Sequence, residues 1–102
     1  MTYATELVRI RLKQGTTLER LKALRTEMAE QYTEHYGGSF DVQMYELEDG
    51  TYLDIWTWET RELAEAALGD TSKIPAFERW KSLVEVVSFD WAAEQDWGRH
   101  AR

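Results

Sequence analysis

One stretch of this chain brings a carboxyl and two indoles within reach of one another. Tyr52-Leu53-Asp54-Ile55-Trp56-Thr57-Trp58-Glu59 alternates in character. At a period of two, Tyr52, Asp54, Trp56 and Trp58 share one face of a strand, and Leu53, Ile55 and Thr57 share the other. Indole rings offer large flat apolar surfaces with a polar edge. A carboxyl among apolar groups shifts toward its neutral form and can give or take a proton. The chemistry this suggests is acid–base work on a planar aromatic ligand. Trp56, Trp58 and Tyr32 would hold the ring, with Trp80 as a further wall, and Asp54 would be the general acid or base.

Each of these residues also has a plain structural reading. Trp56 and Trp58 serve equally as core or interface residues. Asp54 can pair with Arg9 or Arg11, because the first and third strands are neighbours in the arrangement derived below. Tyr32 and Tyr36 read as packing residues with wet hydroxyls. His35, beside Gly37, falls near a helix C-terminus, where its charged form is favoured. The chain has no glycine-rich phosphate loop, no nucleophile–base pair and no metal-ligand spacing.

The elements that must position these residues are legible as periodicities. Residues 6–13 alternate, with Val8, Ile10 and Leu12 on one side and Leu7, Arg9 and Arg11 on the other, and predict a first strand. After Gly15, Thr16 with Glu19 forms a capping-box pattern. Leu18, Leu21, Leu24, Met28 and Tyr32 then follow at helical spacing. Glu19, Arg20, Lys22, Arg25, Glu27 and Glu30 take the wet side, and Gly37-Gly38 ends the helix. Residues 40–47 alternate again, with Phe40, Val42 and Met44 on one face. Asp49-Gly50 marks a hairpin leading into the strand over residues 51–59.

Thr60 can cap a second helix over residues 61–68, stopped at Gly69. Ile74-Pro75 starts another short helix with Phe77, Trp80 and Val84 as its stripe. Residues 86–91 alternate as a last strand, although residues 83–87 can also extend the helix. The result is an α+β, ferredoxin-like β-α-β-β-α-β order: a four-stranded antiparallel sheet with the helices on one face. The other face is bare. With five Trp, five Tyr and three Phe in 102 residues, a bare face holding large aromatics needs a cover. A homodimer formed sheet to sheet supplies one.

At this point the chain resembles the antibiotic biosynthesis monooxygenase family of dimeric α+β barrels. The likeness rests on the element order, the return strand through Trp58-Glu59-Thr60 and the alanine-rich Arg61-Glu62-Leu63-Ala64 that follows. It covers the chain to about Ala93, so residues 1–93 form the domain and residues 94–102 a charged tail, which Trp97 can lay on a partner. The resemblance implies a cavity between sheet and helices in each subunit. It also implies oxidation of aromatic compounds by molecular oxygen without metal or prosthetic group in some members, and haem degradation in others. Active members commonly carry an Asn four residues before the Trp that ends this strand. Here the pair is Asp54 and Trp58, which the resemblance marks as catalytic. An amide donates to a developing oxyanion; an ionised Asp repels it. Haem-degrading members bind iron through a His in the next helix, where this chain has Leu63, Leu68 and alanines. The expectation is therefore no cofactor and no metal.

Charge and composition narrow the classes further. Twelve Lys and Arg against 19 Asp and Glu give a net charge of −7, which argues against nucleic acid as partner. No cysteine is present. The start, Met1-Thr2-Tyr3-Ala4-Thr5-Glu6, does not read as a signal peptide, and no apolar run approaches spanning length, so a cytoplasmic protein without membrane contact is expected. Two functions stay open: a cofactor-independent monooxygenase-like enzyme acting on a small planar aromatic compound, or a non-enzymatic small-molecule-binding or dimeric assembly module. A satisfied Asp54–Arg pair favours the second; an unpaired Asp54 lining a cavity favours the first.

Overall fold

The structure, a computed structural model, describes residues 3–37, 40–93 and 95. Most of the expected tail, with Trp97 and His100, and the second glycine of Gly37-Gly38 lie outside the described residues. The elements run β1 (Ala4–Leu12), α1 (Leu18–Tyr36), β2 (Phe40–Glu46), β3 (Tyr52–Trp58), α2 (Arg61–Gly69), a single 3-10 turn (Thr71–Lys73), α3 (Pro75–Leu83) and β4 (Val84–Ala92). The sheet order is β2-β3-β1-β4 and every pair is antiparallel. This is the α+β ferredoxin-like arrangement expected from the element order. The second crossover carries two short helices, as the residues after Thr60 and after Ile74 predict.

The core lies between one face of the sheet and the helices. Val8 and Ile10 of β1, Trp56 and Trp58 of β3 and Val84 of β4 pack against Leu21, Leu24, Met28 and Tyr32 of α1 and Trp80 of α3. The large aromatics of β3 therefore face the helices, not the bare side. The outer face carries Thr5, Leu7, Arg9, Tyr45, Leu53, Ile55 and Thr57, all odd-numbered by the ladder register. Its apolar content comes from Leu7, Leu53, Ile55 and an exposed Tyr45.

Several boundaries move for local reasons. The α1 cap is Thr17, whose hydroxyl accepts from the Arg20 N–H at 3.2 Å; Thr16 stands one residue too early. Thr60 caps α2 as expected, accepting from Leu63 N–H at 3.0 Å. β4 begins at Val84 directly after α3, so the strand wins over helix extension across residues 84–87. Three β-branched valines lie in those four positions, and they pack better on a pleated surface than on a helix. At the hairpin, Gly50 has φ +86°, a left-handed conformation open to glycine without steric cost. Tyr36 is more than a packing ring, since its hydroxyl donates to the Asp70 carbonyl at 2.6 Å.

Two further details set the site. The β1–β4 ladder shifts register between Arg9 and Ile10: Arg9 faces Ser88 while Ile10 faces Val86, leaving Val87 as an extra residue. The N-terminus of α3 lacks a side-chain cap of its own; Gln31 of α1 accepts the Ala76 N–H at 2.9 Å instead. That contact fixes α3, and hence Trp80, against α1. Among the described residues, no helix is long and apolar enough to cross a membrane.

The cap assignment is testable by urea denaturation. Thr17→Ala is expected to cost about 1 kcal/mol, the usual loss for a helix N-cap, and Thr16→Ala less than half of that. Equal losses would return the cap to the capping-box position.

Candidate functional site

The helix-facing side of the sheet carries two buried carboxyls. Glu6 is 4% exposed and Asp54 is 1% exposed. The β1–β3 register sets Glu6 opposite Trp56 and Val8 opposite Asp54, so both acids share a face with both tryptophans. Each carboxyl takes one indole. The Trp56 Nε1–H donates to Asp54 Oδ1 at 3.0 Å, and the Trp58 Nε1–H donates to Glu6 Oε2. The two indoles lie stacked, 6.1 Å between centroids with 23° between planes. Tyr32 of α1 presents its edge to both, at 5.6 Å from Trp56 and 5.5 Å from Trp58.

Asp54 is also gripped from above. Arg25 of α1 donates Nε to Oδ2 at 2.9 Å and Nη2 to Oδ1 at 2.7 Å, the two-pronged fit that guanidinium and carboxylate favour. Its partner is not Arg9 or Arg11. Those two sit on odd positions of β1 and point to the outer face, where they pair with Asp49 at 3.2 Å and Glu85 at 3.1 Å. Arg25 in turn is not a wet-side residue. It stands four residues after Leu21 and three before Met28, which places it on the buried stripe, and its side chain is 13% exposed.

The two acids consequently differ in chemistry. Burial pushes the Asp54 carboxyl up from its ordinary value, opposed by Arg25 and by the Trp56 indole. Three N–H donors converge on its two oxygens, an arrangement made for the ionised form. Glu6 has no cation. Burial raises it to about 7; the Trp58 indole opposes this, and the negative charge of Asp54 adds to it. Tyr32 is pushed upward by burial and by Glu6, so its hydroxyl keeps its proton.

A cavity of about 180 Å³ opens beside this cluster. Glu6, Val8, Asp54, Trp56 and Trp58 line it from the sheet, Met28 and Tyr32 from α1, and Leu68, Phe77 and Trp80 from α2 and α3. Val86 and Phe89 of β4 complete the wall and are 48% and 42% exposed, which marks the open side. All five residues singled out from sequence, Tyr32, Asp54, Trp56, Trp58 and Trp80, border this one space. Glu6 was missed, as was Arg25. Both carried a signal: Glu6 is in phase with Val8 and Ile10, and Arg25 is in phase with Leu21, Met28 and Tyr32.

With that geometry in view, the solved structures are informative. No protein-family model and no curated protein matches the chain. SnoaB from Streptomyces nogalater, a cofactor-independent oxygenase, superposes with a TM-score of 0.71 at 12% identity, covering 94% of this chain and 96% of its own. A candidate antibiotic biosynthesis monooxygenase from Chloroflexus aurantiacus J-10-fl gives 0.60 at 16% identity, covering 97% of each chain. The chain has the fold of the antibiotic biosynthesis monooxygenases. Rv0793 from Mycobacterium tuberculosis shares it as well, with a TM-score of 0.67 at 16% identity over 95% of this chain and 99% of that one. At these identities the likeness is one of fold.

The charge states can be checked by thermal and urea melts across pH. Glu6 is raised from an ordinary 4.5 to about 7 in the fold. Below pH 4.5 it is protonated folded or unfolded. Between 4.5 and 7 only the unfolded chain loses the proton, so stability falls with rising pH and levels off above 7. Glu6→Gln removes that penalty while keeping an acceptor for Trp58. It is expected to match the parent near pH 4 and to exceed it by about 3 kcal/mol near pH 8. An offset that does not change with pH would refute the buried titration.

Asp54→Asn has the opposite effect. It strands the Arg25 fork and is expected to cost about 3 kcal/mol at pH 7. It also removes a charge that holds Glu6 up, so the Glu6 midpoint moves down. A variant that melts like the parent would show that the pair contributes nothing.

Proposed function

We propose that this chain is a cofactor-independent monooxygenase-like enzyme that takes a small planar aromatic compound into the Trp56–Trp58 cavity and removes a proton from it with Glu6. The observation that carries this reading is Glu6 itself. It is a cavity-lining carboxyl with no cation among the described residues and a proton poised near neutral pH, at the edge of a stacked indole pair. A base is most effective when its pKa lies near the working pH. The fold shared with a cofactor-independent oxygenase supports the reaction class.

The chemistry balances without a cofactor if the substrate supplies the electrons. Glu6 takes a proton from an acidic ring CH2 activated by a neighbouring ring hydroxyl or carbonyl. The carbanion, spread over the ring, reduces molecular oxygen and forms a C–O bond to it. Loss of water from the hydroperoxide leaves a new C=O. One oxygen atom enters the product and the other leaves as water, with both C–H hydrogens. Asp54, sequestered by Arg25, does not exchange protons here; it orients Trp56. Trp58 is the indole that links the cavity to Glu6.

The pairing of Asp54 with Arg25 also supports a second reading, in which the cavity binds an aromatic compound without converting it. Oxygen uptake with hydroxylated one- and two-ring aromatics separates the two. Under the enzymatic reading uptake is ligand-dependent, its rate rises with pH through about 7, and Glu6→Gln lowers kcat/KM by roughly 10²–10⁴. Binding without uptake, or uptake unaffected by Glu6→Gln, would overturn it.

The same proposal includes a homodimer formed through the outer sheet face, where Leu7, Leu53, Ile55 and Tyr45 make an apolar surface in need of a cover. Sedimentation at micromolar concentration is expected to give twice the chain mass. A stable monomer would remove this part.

A further inference from the structure

The cavity wall carries a hydroxyl that the fold itself does not use. Tyr32 is 3% exposed and borders the cavity from α1. Among the described residues, its hydroxyl has no hydrogen-bond partner. Yet it is not sealed in. The Trp80 indole nitrogen is the one fully enclosed side-chain nitrogen or oxygen without a partner among those residues, so the Tyr32 oxygen keeps an accessible face, and the cavity is what its side chain borders. Tyr36, one turn on, shows the contrast, since its hydroxyl is spent on the Asp70 carbonyl. A buried hydroxyl left unmet is costly, and its place at a cavity points to a ligand oxygen as the missing acceptor.

The hydroxyl is also well held. The Tyr32 ring packs edge-on against Trp56 at 5.6 Å and Trp58 at 5.5 Å, and Trp58 in turn holds Glu6. Glu6 lines the cavity from the sheet and Tyr32 lines it from α1, so a bound molecule meets a base on one side and a hydroxyl on the other. Burial first, and the Glu6 charge second, push Tyr32 upward. It therefore still carries its proton when Glu6 is ionised, and can donate.

We propose that Tyr32 is the oxyanion donor of this site: its hydroxyl donates to the ring carbonyl oxygen of a benzo-fused cyclic ketone while Glu6 takes a proton from the adjacent ring CH2. The inference rests on the Glu6 reading above and deepens it, naming the residue that stabilises the anion and the class of substrate. As the proton goes to the Glu6 carboxylate, the C–H electron pair moves toward the carbonyl and negative charge collects on its oxygen. Tyr32 meets that oxygen and keeps its own proton. A donor already in place where charge develops needs no rearrangement during the step. Volume limits the ring system. The cavity holds about 180 Å³. About 150 Å³ suffices for a benzene, so one arene with a small fused ring suits it.

The test uses 2-indanone, whose ring CH2 groups lie between the arene and the carbonyl. Exchange of their hydrogens in deuterium oxide is followed by NMR under argon, which isolates proton removal from the later reaction with oxygen. The parent is expected to speed exchange over buffer alone. Tyr32→Phe keeps the ring and its indole contacts and is expected to melt like the parent, because its hydroxyl has no partner within the fold. It should lower kcat for exchange by about 10²–10³ with little change in KM, the mark of a donor that acts on developing charge. Glu6→Gln, run alongside, tests the underlying reading and should lower the rate as well.

Exchange by Tyr32→Phe at the parent rate, or slowed through KM alone, would overturn the inference and leave the Glu6 reading standing. So would a Tyr32→Phe protein that melts well below the parent or fails to fold, since the hydroxyl would then be engaged within the fold. No exchange by the parent, or exchange untouched by Glu6→Gln, would overturn this inference together with the reading it rests on.

Discussion

Two carboxyls are buried under the helices of this small domain, and their desolvation governs how the rest is arranged. Removing a carboxylate from water is costly unless donors replace the water. Asp54 receives a full set, two from Arg25 and one from Trp56. Supplying them requires α1 to lie with Arg25 over β3, which puts Tyr32, two turns further on, against both indoles. Among the described residues, Glu6 receives one donor, Trp58, and no cation. The stacked tryptophan pair is thus clamped at both ends by acids, and the aromatic wall inherits its geometry from how those acids are met.

The unequal treatment of the two acids separates their uses. A carboxylate locked by a guanidinium fork is a fixed charge. A carboxyl in an apolar wall with one indole donor keeps a proton that can be exchanged. Proximity makes the first a control on the second, because the Asp54 charge is among the causes that raise Glu6. Two residues of one chemical type, two ladder positions apart on neighbouring strands and on one sheet face, are set to different tasks by their surroundings alone.

Period-two alternation in residues 52–58 suffices to group Asp54, Trp56 and Trp58, and helical spacing suffices to bring Tyr32 over them. Asp49-Gly50, Thr60 and Pro75 mark a hairpin and two helix starts correctly, because turn and cap chemistry is local. The failures share a cause. Arg25 reads as a wet-side residue since charge usually means exposure, and Glu6 is assigned to neither face, although both fall in phase with buried neighbours. The choice of Arg25 over Arg9 or Arg11 depends on which sheet face the helices cover, and alternation does not say which face that is. Choosing Thr17 over Thr16 turns on a single residue of backbone phase after Gly15.

The extra residue at Val87 has a consequence for how this cavity can change over evolutionary time. Strict pleating would send residues an odd number apart to opposite faces. The bulge breaks that parity, so Val86 and Phe89, three apart, both look toward the helices, and Trp91 follows them to meet the Arg61 guanidinium 3.9 Å from its ring centroid. A one-codon deletion of Val87 would leave a regular ladder in which Ser88 still faces Arg9 and Phe89 still faces Val8, so Phe89 and Trp91 would keep looking toward the helices. The bulge therefore absorbs one residue without exchanging faces. Losing that residue would regularise β4 and leave the apolar entrance, Glu6, Asp54 and the two indoles in place.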